Sequence, residues 1–143
     1  MRAATLYGRS GRYYVHSSSK TTAGVWVAHA PFLTLEGEEL TGLGQAIQEF
    51  LLASREGVTH PSSWGGLLQP MLKLAGVKSY VAFARLSKCL TVIENDDRTV
   101  SLTPTRNGGS REGFVDLNDK TSTVENTAET LGTAAVEALA RSE

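Results

Sequence analysis

Leu40, Leu43, Ile47, Phe50 and Leu51 recur at helical spacing, a stripe that predicts an amphipathic helix over about residues 38–55. Gly57 supplies a stop, and His60-Pro61 forces an extended step, because the proline ring disfavours helix at the residue before it. Trp64, Leu67, Leu68, Met71, Leu72 and Ala75 then share one face of a second helix, capped by Ser62 or Ser63 and ended by Gly76. Before this helical pair, Ala4–Tyr7 and Arg12–His16 are β-prone runs around Gly8-Arg9-Ser10-Gly11, a hairpin pattern. Ser17–Gly24 is polar and predicts a loop. Val25–His29 predicts a strand, Pro31 marks it as an edge or an exit from pairing, and Phe32–Leu35 continues it after a bend.

After the pair, the stretches 80–86, 88–94, 98–105 and 113–117 predict four strands. Asn95-Asp96-Asp97 has turn chemistry, so residues 88–105 form an antiparallel hairpin. Residues 107–110 and Asn118-Asp119-Lys120 are further turns. Asn126 with Glu129 three residues on has capping-box spacing, opening a C-terminal helix whose inner stripe is Leu131, Ala135, Ala138 and Leu139. The order β-β-β-α-α-β-β-β-β-α predicts an α+β protein, one domain over residues 1–143. Its sheet is mostly antiparallel, with two central helices and a C-terminal helix packed on it.

Composition narrows the class. A chain of 143 residues suits one domain with a single core. Fourteen basic against fifteen acidic residues leave a charge of -1, which argues against a nucleic-acid module built on the loops at Arg9–Arg12 and Arg106–Arg111. The lone Cys89 cannot form an internal disulfide and suits a reducing compartment. No apolar run approaches the roughly 20 residues of a membrane span, and the N-terminus lacks the apolar segment of a signal peptide. A cytoplasmic location is expected.

Candidate chemistry is sparse. His16, His29, His60 and Cys89 show no zinc-ligand spacing and no HExxH or CxxC, so neither a metal nor a cofactor is implied. Cys89, at the start of a strand, reads as a buried thiol. His60-Pro61-x-x-Trp64 offers a general base beside an aromatic wall. It equally offers a stiff turn, with Trp64 anchored in the core and His60 bonded to a nearby backbone carbonyl, and the apolar stripe that Trp64 heads favours this reading. The Gly-rich turn between Arg106 and Arg111 has donors for a phosphate but lacks the P-loop pattern and a following helix. An enzyme acting on a phosphorylated substrate would need His60, Arg106 and Arg111 in one pocket. Glu36, Glu38 and Glu39, and again Glu94, Asp96 and Asp97, form acidic clusters. They read as a decorated helix N-terminus and a solvated hairpin tip, or as docking points for a basic partner.

Several spaced motifs carry a family likeness. Gly57-Val58, His60-Pro61, Trp64, Pro70, Leu72-Lys73 and Gly76-Val77-Lys78-Ser79 form one patch. Thr103-Pro104-Thr105-Arg106-Asn107-Gly108, followed by Gly113-Phe114, forms another. Together they resemble immunity proteins of bacterial contact-dependent growth inhibition systems, a resemblance that covers most of the chain. It implies a cytoplasmic protein that is not an enzyme, has no catalytic residue and contacts neither nucleic acid nor membrane directly. Such a protein binds, one to one, the C-terminal toxin domain of its cognate exoprotein, often a nuclease, and neutralises it. On that resemblance the two acidic clusters become the expected docking points.

Overall fold

The structure, a computed structural model, describes residues 1–37, 39–63 and 66–143. Among these the chain runs β1 (Arg2–Arg9), β2 (Arg12–Thr21), β3 (Trp26–Glu36), α1 (Leu40–Ala53), β4 (Glu56–Val58), α2 (Gln69–Ala75), α3 (Tyr80–Arg85) and β5 (Ser87–Glu94). It continues through β6 (Thr99–Asn107), α4 (Gly109–Glu112), β7 (Phe114–Asp116), a 3-10 turn at Asn118–Lys120, β8 (Ser122–Glu125) and α5 (Ala128–Ala140). One sheet holds the strands in the order β3-β2-β1-β5-β6-β7, with β8 also antiparallel along β6 and β4 parallel to the end of β2. The result is an α+β fold with a mostly antiparallel sheet.

Each central strand is buried on both sides, because side chains alternate across the pleat. Ala4 and Leu6 of β1, Val15 of β2, Leu90 and Val92 of β5, and Val100 and Leu102 of β6 share a closed face. Upon it lie Leu43, Ile47, Phe50 and Leu51 of α1 and Leu131, Ala135, Ala138 and Leu139 of α5. These are the two stripes predicted for the first and last helices. The helices touch backbone to backbone. A Cβ at Gly44 would lie 1.8 Å from Ala128 O, and one at Gly132 1.8 Å from Leu40 O. The opposite, open face carries Tyr7, Tyr14 and Cys89, covered at the Arg9 end of β1 by Met71 and Leu72 of α2 and Phe83 of α3.

Five predicted features are corrected. The polar run after His16 is strand, not loop: β2 extends to Thr21, and Ser17, Ser18, Ser19 and Thr21 are buried. The hydroxyls of Ser17 and Ser19, and the Ser18 carbonyl, are engaged where α1 ends against the sheet. Ser17 Oγ donates to Phe50 O (2.9 Å), Ser19 Oγ accepts from Arg55 N (3.1 Å), and Ser54 Oγ donates to Ser18 O and accepts from Ala3 N. This seam satisfies backbone groups that a helix end and a strand end would otherwise bury unpaired. Helix α1 therefore stops at the extended Ser54, and Gly57 (φ 75°) lies in β4 rather than ending the helix.

The second helix starts at Gln69, not at Ser62 or Ser63. Gly66 has φ 89°, and residues 66–68 form turns before Pro70 opens the helix. Trp64 lies outside the described residues. Gly76 does end the helix, at φ 70°, with Val77 N returning to Leu72 O. The run Tyr80–Leu86 begins as helix rather than strand. Ser79 accepts from Ala82 N (3.1 Å), and the short helix drives Phe83, fully buried, between Tyr7 and Tyr14. Packing overrides β-propensity here. At the last helix the cap is Thr127, whose hydroxyl accepts from Thr130 N, not Asn126. The β8 strand lies in a stretch with no predicted element.

Candidate functional site

The acidic clusters stand at opposite ends of the sheet. Glu36 pairs with Arg12 beside the β1–β2 turn, and Glu39 precedes α1 at that same Arg9 end. Glu94, Asp96 and Asp97 sit at the Arg2 end. The eight residues of β1 between those ends correspond to roughly 24 Å of strand, so the two clusters do not make one surface. Glu38 is outside the described residues.

Most of these carboxylates hold the scaffold. Glu94 Oε2 accepts from Asn126 Nδ2 (2.8 Å), and Asn126 accepts in turn from Gln48 Nε2 (3.1 Å), tying β5 to both helices of the closed face. Asp97 accepts from Thr99 N (3.0 Å) and Thr99 Oγ1 (2.6 Å), which closes the hairpin tip and holds its carboxyl below the ordinary range. Glu39 and Asp96 are the exposed members whose side chains make no hydrogen bond or ion pair within the described residues.

The enzymatic constellation does not assemble. His60 Nδ1 lies 3.1 Å from Thr21 Oγ1, at the Arg2 end of the sheet. Arg106 and the turn at Asn107 lie at the Arg9 end. Arg106 bonds Glu112, which raises its pKa. Asn107 donates to Ala84 O and Ser87 O and accepts from Gly109 N, so the loop that resembles a phosphate cradle is closed on itself.

The open face carries a group of neighbouring concave features. Beyond Phe83 no helix among the described residues covers it, and β7 folds over it, bringing Phe114 within 5.7 Å of Tyr7, three strands away. A hollow of about 400 Å³ results. Its floor is Thr5, His16, Ser18 and Thr91; Trp26, Ala28 and Leu68 wall one side, Phe114 and Asp116 the other. Thr91 donates to Asp116 Oδ1 (2.8 Å), and Thr5 and Ser18 share a hydrogen bond (3.3 Å). A second cavity, about 510 Å³, shares the Trp26–Leu68 wall and reaches Tyr80. A third, about 530 Å³, lies between α3 and the segment from Asn107 to Phe114.

His16 is the unusual group in the floor. Only 4% of it is exposed, and its ring lies between Tyr7 and Phe32. Burial lowers its pKa to about 4, so the ring is neutral at neutral pH. Its Nδ1 is 2.9 Å from Ser17 O, an acceptor, so Nδ1 carries the proton and Nε2 keeps a lone pair with no hydrogen-bond partner among the described residues. Burial also pushes the Cys89 thiol and the Tyr7 phenol upward, keeping both protonated. The site therefore offers acceptors, hydroxyls and aromatic walls. Nothing in the chain's polar pattern pointed to it, because the serines of β2 read as loop.

An open, mostly antiparallel sheet, sealed by two helices on one side and hollowed on the other, defines the class: a single-sheet α+β domain. Solved structures share it along almost the whole chain. A protein of unknown function from Neisseria meningitidis superposes with a TM-score of 0.82 at 14% identity, covering 99% of this chain and 95% of that one. A chain of the CdiA-CT/CdiI toxin and immunity complex from Yersinia pseudotuberculosis superposes with a TM-score of 0.79 at 12% identity, covering 99% and 97%. No family model matches the sequence, and no curated protein matches it.

Proposed function

We propose that this chain is a cytoplasmic immunity protein of a contact-dependent growth inhibition system, which binds and neutralises the toxin domain of its cognate exoprotein. The observation that carries this is the end-to-end likeness to a chain of a toxin and immunity complex. It agrees with a resemblance drawn from separate short motifs. The protein performs no reaction: it covers the toxin's active site or its substrate-docking surface, as a monomer in a one-to-one complex. A nuclease is the toxin we favour, because a surface built for nucleic acid is basic and would meet Glu39 and Asp96, the cluster carboxylates left unpaired among the described residues. The rival reading, catalysis by His60 with Arg106 or Arg111, is disfavoured by their placement at opposite ends of the sheet.

The test is binding of the purified chain to the toxin domain encoded beside it, together with growth of cells expressing that toxin. We expect a Kd of about 10 nM or tighter, in the range of specific protein complexes, and full rescue of growth. No binding at micromolar concentration, with no rescue, would sink the proposal.

A further inference from the structure

The hollow on the open face has a composition that selects its occupant. No lysine or arginine lines it among the described residues, and its single histidine is neutral. Four of its polar groups present oxygen or nitrogen lone pairs: Asp116, whose carboxylate has only Oδ1 bonded to Thr91; His16 through Nε2; and the hydroxyls of Thr5 and Ser18. A site rich in acceptors, with one charge, negative, favours a donor-rich cation. Its walls are aromatic, and the Trp26 ring already attracts a cation, since Lys20 Nζ lies 6.0 Å from its centroid. A planar guanidinium meets both demands. It stacks on Phe114 or Trp26 while its fork bonds the carboxylate, and the inner N–H groups point at the His16 lone pair. A nucleobase would also stack, but the carboxylate repels the phosphate that comes with it.

We propose that this hollow is a socket for one arginine side chain projecting from the protein partner. The proposal rests on the reading of the chain as a toxin-binding protein, and deepens it by placing the anchor on the open face rather than on the acidic ends. Asp116 supplies the charge at the mouth, His16 Nε2 accepts at the base, and Phe114 or Trp26 offers the ring on which the guanidinium plane stacks. An anchor buried in this way controls how long the complex lasts, whereas Glu39 and Asp96 at the rim affect how fast it forms.

Two experiments decide it. Titrating the free protein with Nα-acetyl-arginine amide, against its neutral isostere Nα-acetyl-citrulline amide, while following the ¹⁵N resonance of His16 Nε2, should show a saturable shift with arginine alone. The exposed Asp116→Asn substitution, which leaves the core untouched, should weaken that binding at least about fivefold through loss of the charge-assisted bond. No shift, an equal shift with citrulline, or a shift with adenosine instead would overturn the socket. With the toxin domain, D116N should reduce affinity at least about tenfold, in the dissociation rate. If the wild type binds toxin and D116N binds equally well, the socket falls while the immunity reading stands. Should the wild type bind no toxin at all, the immunity reading falls, and with it the partner that the socket requires.

Discussion

The two faces of one sheet solve different problems. On the closed face, Leu, Val and Ala side chains of β1, β5 and β6 meet α1 and α5 with no slack, and Gly44 and Gly132 let the helix backbones touch. On the open face, an aromatic cluster around Phe83 covers one half, while hydroxyls and a neutral histidine floor an unfilled hollow in the other. The first arrangement maximises contact and leaves no room for change. The second gives up apolar burial, and its polar groups bond to one another and face space. Stability should therefore reside on the closed face, and recognition on the open one.

The sharpest way to break this contrast is Gly132→Val. Its Cβ meets the backbone of Leu40, which no rotamer change relieves, so the helices must part. We expect a loss of at least about 3 kcal/mol in denaturant unfolding, the upper end of overpacking effects. Gly42→Ala, on the same pair of helices, meets only an ordinary contact at 3.6 Å. It should raise stability by about 0.5–1 kcal/mol through helix propensity. Equal stability of G132V and wild type would refute the account of the closed face.

The next largest effect is the pH response of the open face. His16 is held neutral, with a folded pKa near 4 against an ordinary 6.5, so the unfolded chain binds the extra proton between those values. Stability is complete above about pH 6.5 and falls as the solution is acidified toward pH 4, by roughly 3 kcal/mol at about 1.4 kcal/mol per pKa unit. Denaturation midpoints at several pH values in wild type and His16→Gln check this: the slope in that window should flatten in the variant. An unchanged slope would mean that His16 is not the group responsible. The smallest effect is expected from Thr91→Val, which removes one partly exposed bond to Asp116. It should alter stability by no more than about 1 kcal/mol, and a larger loss would show that the floor is structural after all.

The legible parts of the fold were those whose signal is local. The stripes of α1 and α5 and the hairpin from Lys88 to Thr105 follow from periodicity and from the turn chemistry of Asn95-Asp96-Asp97, and the structure contains all three. Of the acidic positions, Glu94 illustrates the limit: its charge suggested a docking point, but its fate is a bond to Asn126, 32 residues away. Asn126, so engaged, leaves the capping of α5 to Thr127.

Sequence alone determined that the chain makes an α+β domain with amphipathic helices around a mostly antiparallel sheet, because repeats of 3.6 and 2 residues dictate which side chains can share a face. Tertiary structure decided the rest. Ser17–Thr21 became strand because Phe50, Ser54 and Arg55 arrive to bond its hydroxyls and backbone. Tyr80–Arg85 became helix because Ser79 caps it and Phe83 finds a slot between two tyrosines. The hollow exists only where β7 folds back over β1, and a contact between residues more than a hundred apart leaves no trace in any local window of the chain.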